Sequence, residues 1–137
     1  MIRVVVDVGV VISAMIAPGG TPARVFDLWM DGGFDLVVSP AWLGELAEVA
    51  ARPRIATRMT RSQTTRLASA IVNGAVVIAD PAPVAGLTPD PDDDDDLVAL
   101  ARAAGARYLV SGDAHLLGIH EPRPPVITAR RLLELLA

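Results

Sequence analysis

Ile2-Arg3-Val4-Val5-Val6 is a short β-branched run closed by Asp7, and Tyr108-Leu109-Val110 is a second such run that leads through Ser111-Gly112 into Asp113. Apolar runs of this kind, without polar alternation, read as strands buried on both faces, the habit of parallel sheets. Outward from these two runs, strand-like and helix-like segments alternate. Ala17–Thr21 reads as a loop, with Thr21 as cap and Pro22 as first position of a helix to about Met30 that Asp31-Gly32-Gly33 stops. Phe34–Val38 reads as a strand, Ser39-Pro40 opens a helix, and Arg52-Pro53 closes it. Helical stretches over 54–59 and 62–73 precede a strand over Ala75–Ile78. A proline-rich loop (Pro81, Pro83, Pro89, Pro91) and the acidic run Asp90–Asp96 then lead into a helix to about Ala104. The strand Tyr108–Val110, a short apolar turn at Leu116-Leu117, the strand Val126–Ile127 and a helix from Thr128 follow. This order predicts one α/β domain over residues 1–137, a three-layer sandwich with a mostly parallel central sheet. Ligands of such sheets bind beyond the carboxyl ends of the strands, so Asp7 and Asp113 are expected at one site.

Composition narrows the function. A chain of 137 residues with 52% hydrophobic and 20% charged residues is sized and composed for one folded domain. The absence of cysteine removes disulfides, thiolate chemistry and Cys-ligated metals. No apolar run reaches the roughly 18 residues of a membrane span, and Met1–Val11 carries Arg3 and Asp7, which suits no signal peptide. The expectation is a soluble, cytoplasmic protein with no membrane partner. Six of the sixteen acids lie within Asp90–Asp96, and all twelve basic residues are arginine. Five of those arginines (Arg52, Arg54, Arg58, Arg61 and Arg66) occupy a stretch with no acid between Glu48 and Asp80. Such segregation suits a polyanion held beside a cation-loaded site, with a merely solvated helical face as the competing reading.

The helical period selects among the acids. In the helix after the acidic run, Leu97, Val98, Ala101 and Gly105 form a stripe with Asp94 at its centre, Asp93 and Asp95 flanking it and Asp96 opposite. Acids of a first turn serve as caps or dipole partners, but an inward carboxylate also needs a cation or hydrogen bonds. Glu45 edges the stripe Trp42, Leu43, Leu46, Val49 and Ala50, whereas Glu48 lies farther toward solvent; a solvated Glu45 is the alternative. Convergence of Asp7, Glu45, Asp94 and Asp113 on one sheet edge implies a divalent cation, and an all-oxygen donor set favours Mg²⁺ or Mn²⁺. His115 and His120 have no second cluster to complete a zinc site, and Asp90–Asp94 lacks the glycine of an EF-hand loop.

These residues resemble the PIN-domain nucleases, in particular the VapC-like toxins of bacterial and archaeal toxin–antitoxin systems. Members begin with a strand running into Asp-Thr-Asn-Val, and this chain has Val4-Val5-Val6-Asp7-Val8-Gly9-Val10. Ser39-Pro40 with Glu45 resembles the second family signal, and Asp90-Pro91-Asp92 through Asp96 with Ala99-Leu100-Ala101 the third. Gly105-Ala106-Arg107-Tyr108-Leu109-Val110-Ser111-Gly112-Asp113 resembles the last, and the likeness spans essentially the whole chain. It implies that Asp7, Glu45, Asp94 and Asp113 are the metal-binding acids, with Asp93 or Asp95 as alternatives because the run holds one aspartate more than the commonest pattern. It further implies a metal-dependent endoribonuclease acting on RNA phosphodiesters. The associated biology is that of a toxin with a cognate antitoxin protein, usually as a homodimer. The basic stretch Arg52–Arg66 would then contact RNA. Val8 and Gly9 stand where the family has Thr and Asn, which leaves a catalytically impaired PIN fold that binds RNA or a partner as the alternative. A haloacid-dehalogenase-type phosphatase would need an Asp at position 9 and a phosphate-binding Lys, and the chain has neither.

Overall fold

The computed structural model describes residues 1–82, 94–119 and 123–137, with the side chain of Asp94 outside the description. Its strands are β1 (Arg3–Val6), β2 (Asp35–Val38), β3 (Val76–Val77), β4 (Tyr108–Val110) and β5 (Val126–Ile127). The helices are α1 (Val8–Ile16), α2 (Thr21–Met30), α3 (Pro40–Ala51), α4 (Pro53–Ala56), α5 (Arg61–Gly74), α6 (Asp94–Ala103), α7 (Ala114–Leu117) and α8 (Ala129–Leu136). The strands form one all-parallel sheet in the order β3-β2-β1-β4-β5, flanked by the helices as a three-layer α/β sandwich. The chain leaves β1 toward β2 and β3, then crosses back to β4, so the strand order reverses between β1 and β4. That is the place where open α/β sheets bind ligands.

Burial explains the local sequence. Val4, Val5, Val6, Leu36, Val37, Val38, Leu109 and Val110 are fully buried, as strands covered on both faces must be. Helix α6 packs on β1 and β4, while α1 contacts α2, α3 and α5. In α2, Phe26 and Trp29 meet edge to face at 6.4 Å.

Three sequence expectations need correction. Val8–Ile16, left unassigned between the first strand and the loop, is helix α1 with six buried residues. Its exposed stripe, Gly9, Ser13 and half-buried Ile16, carries a single polar side chain, so the helical period has little contrast in the sequence. Helix α2 starts on Gly20, not on a Thr21 cap. Gly105 does not extend the apolar stripe of α6 but ends the helix at φ +63°, with Gly105 N–H donating to Arg102 O and Ala106 N–H to Ala101 O. The second bond closes the six-residue ring that satisfies carbonyls at a helix end, and the left-handed conformation is one that glycine adopts without penalty.

Candidate active site

Along the C-terminal edge of the sheet, strand after strand ends in a polar residue that starts a helix. Ser39 follows β2 and caps α3, accepting the Trp42 N–H; Asp7 follows β1 and caps α1; Thr128 follows β5 and caps α8. Asp113, beyond β4, caps the short α7. Each oxygen replaces an intrahelical acceptor for a first-turn N–H, a contribution of about 1 kcal/mol per cap.

Asp7 and Asp113 are brought together by Ser111. The Ser111 hydroxyl is fully buried, donates to Asp7 Oδ2 at 2.8 Å and accepts the Asp113 backbone N–H at 3.0 Å. An amide can only donate, so the hydroxyl proton is directed to the Asp7 carboxylate. Asp7 Oδ1 also accepts the Gly9 N–H at 3.2 Å, and Asp113 Oδ1 accepts the His115 N–H at 2.8 Å. An ionised carboxylate has about four acceptor positions, so both acids keep oxygen lone pairs for a further ligand. They line a cavity of about 550 Å³ with Ser13, Thr21 and Arg130.

Glu45 does not join Asp7 and Asp113 in that cavity but lines a separate one. The Trp42 indole N–H donates to Val6 O at 2.8 Å, which ties α3 to the end of β1 immediately before Asp7. Asp80, beyond β3, accepts the Ala41 N–H at 3.0 Å and so fixes the first turn of the same helix. Glu45, Glu48, Asp80 and Asp96 line a second cavity, of about 660 Å³. Among the described residues its lining holds four acids and no base, against two acids and one arginine around the first cavity. Glu45 and Glu48 are both exposed, so the inward and outward distinction drawn from periodicity does not separate them.

In the acidic run, Asp95 is buried at 4% exposure and Asp96 is exposed. Asp93 and the side chain of Asp94 lie outside the described residues. Among the described residues no three acids or histidines form a single metal-ligating group. The donor set nonetheless suits a hard divalent cation, because every candidate ligand is a carboxylate oxygen and each cavity is open to water. His115 is an exposed residue of α7, and His120 lies outside the described residues.

Arg52, Arg54, Arg58 and Arg61 are exposed, and Arg66, also exposed, pairs with Asp27 at 3.2 Å. None of these five lines either cavity. Two site residues were missed in the sequence, Ser111 and Asp80. A hydroxyl residue between a buried strand and Gly-Asp was the available signal for Ser111. Asp80 had none, since its partner is distant in the chain.

Among the described residues no single helix is long and apolar enough to cross a membrane. No curated protein matches the chain significantly. The chain is similar in structure to the crystal structure of PAE2754 from Pyrobaculum aerophilum, at 16% sequence identity and a TM-score of 0.64, over 98% of this chain and 89% of that one. At that identity the likeness concerns the fold. The PIN domain family matches residues 3–115, which span β1 to the first turn of α7 and include both Asp7 and Asp113, and the chain therefore belongs to the PIN-domain family.

Proposed function

We propose that the protein is a metal-dependent endoribonuclease that hydrolyses RNA phosphodiesters at the β1/β4 edge. PIN domains are in general nucleases. The carrying observation is the pair Asp7 and Asp113, set at the switch point of the sheet and joined by the buried Ser111 hydroxyl. Asp7, Glu45, Asp94 and Asp113 would hold Mg²⁺ or Mn²⁺, with Asp93 or Asp95 as the alternatives within the run. A bound ion supplies charge neutralisation at the phosphoryl oxygens and an acidified water. The chain's own part is positioning. Ser111 orients Asp7, the helix caps hold both aspartates at the strand ends, and the Trp42–Val6 bond holds the Glu45 helix beside them.

The exposed arginines Arg52, Arg54, Arg58 and Arg61 supply positive charge for RNA backbone, with Arg66 sharing its charge with Asp27. The finer reading is a toxin of a toxin–antitoxin pair, with a cognate antitoxin and a homodimer as partners. Val72 at 75% and Val77 at 55% exposure offer apolar surface for such contacts. In α8, Leu135 at 40% exposure adds to that surface, whereas Leu132 is fully buried. Sedimentation at tens of micromolar tests the dimer, and a strict monomer overturns it.

The test of the activity is cleavage of a structured RNA in Mn²⁺ and in EDTA. Cleavage that requires Mn²⁺ and is lost in Asp7→Asn supports the reading; metal-independent cleavage overturns it. A second reading rests on Val8, which is buried, and Gly9, which presents only backbone to Asp7. On that reading the fold binds RNA or a partner without cutting, and RNA binding with no cleavage in Mn²⁺ selects it.

A further inference from the structure

The strand order puts the ends of β1, β4 and β5 side by side, so Asp7, Ser111 and Thr128 stand in one row. The Ser111 N–H donates to Ile127 O at 3.0 Å, which fixes the start of α8 against the end of β4. Arg130, in the first turn of that helix, therefore lines the same cavity as Asp7 and Asp113. It is the one cation among the described residues that lines either cavity, whereas Arg52, Arg54, Arg58, Arg61 and Arg66 line neither. Among the described residues it pairs with Glu134, one turn along, at 3.9 Å. That pair is 85% and 54% exposed and thus holds the guanidinium only loosely.

A cation that shares the lining of an open cavity with two carboxylates, without bonding to them, is arranged for a ligand that carries negative charge and approaches a metal held by those carboxylates. A phosphodiester does both. We propose that Arg130 is the phosphate-contacting residue of the site, its guanidinium donating to a non-bridging oxygen of the RNA phosphate whose other face meets the Asp7 and Asp113 wall. The fork of donors on arginine matches two oxygens of one phosphate, which a point charge such as lysine does not. Thr21 on the same lining adds a hydroxyl that suits sugar or phosphate oxygens, whereas the Ser13 hydroxyl already donates to Gly9 O at 3.0 Å. This assignment rests on the ribonuclease reading, because it names where that substrate's phosphate sits.

The experiment measures anisotropy of a fluorescent single-stranded RNA across a salt series in Ca²⁺, using wild type, Arg130→Gln, Arg130→Lys and Arg131→Gln. Arg131 is the control, a neighbour on α8 that pairs with Glu134 at 3.5 Å and does not line the cavity. Arg130→Gln should weaken binding roughly tenfold and reduce the slope of log affinity against log salt by about 0.7, the value for one lost single-strand phosphate contact. Arg130→Lys should restore the slope but not the full affinity, and Arg131→Gln should follow wild type. Equal behaviour of Arg130→Gln and Arg131→Gln, with wild type binding intact, overturns the assignment of Arg130 alone. Absence of RNA binding by wild type overturns the RNA-binding basis of the ribonuclease reading as well.

Discussion

The two cavities open on the same sheet edge but are built differently. Around Asp7 and Asp113, each carboxylate is anchored to backbone: both cap helices, both are linked through Ser111, and an arginine shares the cavity lining. Around Glu45, the acids extend from an exposed helical face, from the residue Asp80 beyond β3 and from the entrance of α6, with no cation among the described residues of the lining. The first arrangement holds its geometry by itself. The second brings like charges near one another and depends on a counter-ion for the balance. What the contrast teaches is that rigid placement comes from strand ends, whereas charge density comes from helices laid against them.

The largest expected effect breaks the anchored side. Asp7→Asn keeps one oxygen, enough to cap α1, but sets an amide NH2 where the Ser111 hydroxyl donates, so stability should fall by about 1–3 kcal/mol with the fold retained, yet RNA cleavage in Mn²⁺ should fall by ~100-fold or more, since it removes a metal ligand rather than one of its supports. Circular dichroism with the cleavage assay separates the two effects, and retained activity would remove Asp7 from the site. Asp94→Asn should lose activity comparably and Asp96→Asn should change it little. The reverse result would transfer the role to the residue that lines the Glu45 cavity.

Trp42→Phe cuts the link between the two sides. It leaves the buried Val6 carbonyl without the indole N–H, and should cost about 1–3 kcal/mol in a urea melt. A smaller loss would mean that another donor replaces the indole. Gly9→Asn sharpens the anchored side in the other direction. A Cβ at Gly9 would meet only Asp7 Oδ1, at 3.9 Å, so the side chain has room. Restoring a polar group beside Asp7 should raise cleavage roughly tenfold, the lower bound for support around a metal ligand; unchanged cleavage would show that the Gly9 N–H alone suffices. The smallest effect belongs to Arg66→Gln, which removes a half-exposed ion pair with Asp27 and should cost less than about 1 kcal/mol in the same melt.

Much of the fold could be read from local pattern. Tyr108–Val110 and Val126–Ile127 emerge with the boundaries expected, because short β-branched runs buried on both faces have few alternatives. The Thr128 and Ser39 caps are likewise local events, a side chain bonding to an N–H three residues on. The acidic run resisted the same treatment. Its helix buries Val98, Ala99, Leu100 and Ala101, far more than a narrow stripe, so a neighbour such as Asp95 is covered too and a period of 3.6 does not single out one aspartate.

The sequence by itself determined the order of the strands and of the helices other than α1, the Ser39 and Thr128 caps and the two aspartates that follow buried strands, since each of these depends on residues a few positions apart. Tertiary structure alone decided that the ends of β1 and β4 lie side by side, that Ser111 joins Asp7 to Asp113, that Asp80 serves α3, and that Arg130 rather than the arginine-rich stretch lines the cavity of Asp7 and Asp113. The reason is physical: pairing of parallel strands is settled by crossovers and by burial of whole faces, and local side-chain chemistry carries no record of which strand end will become a neighbour.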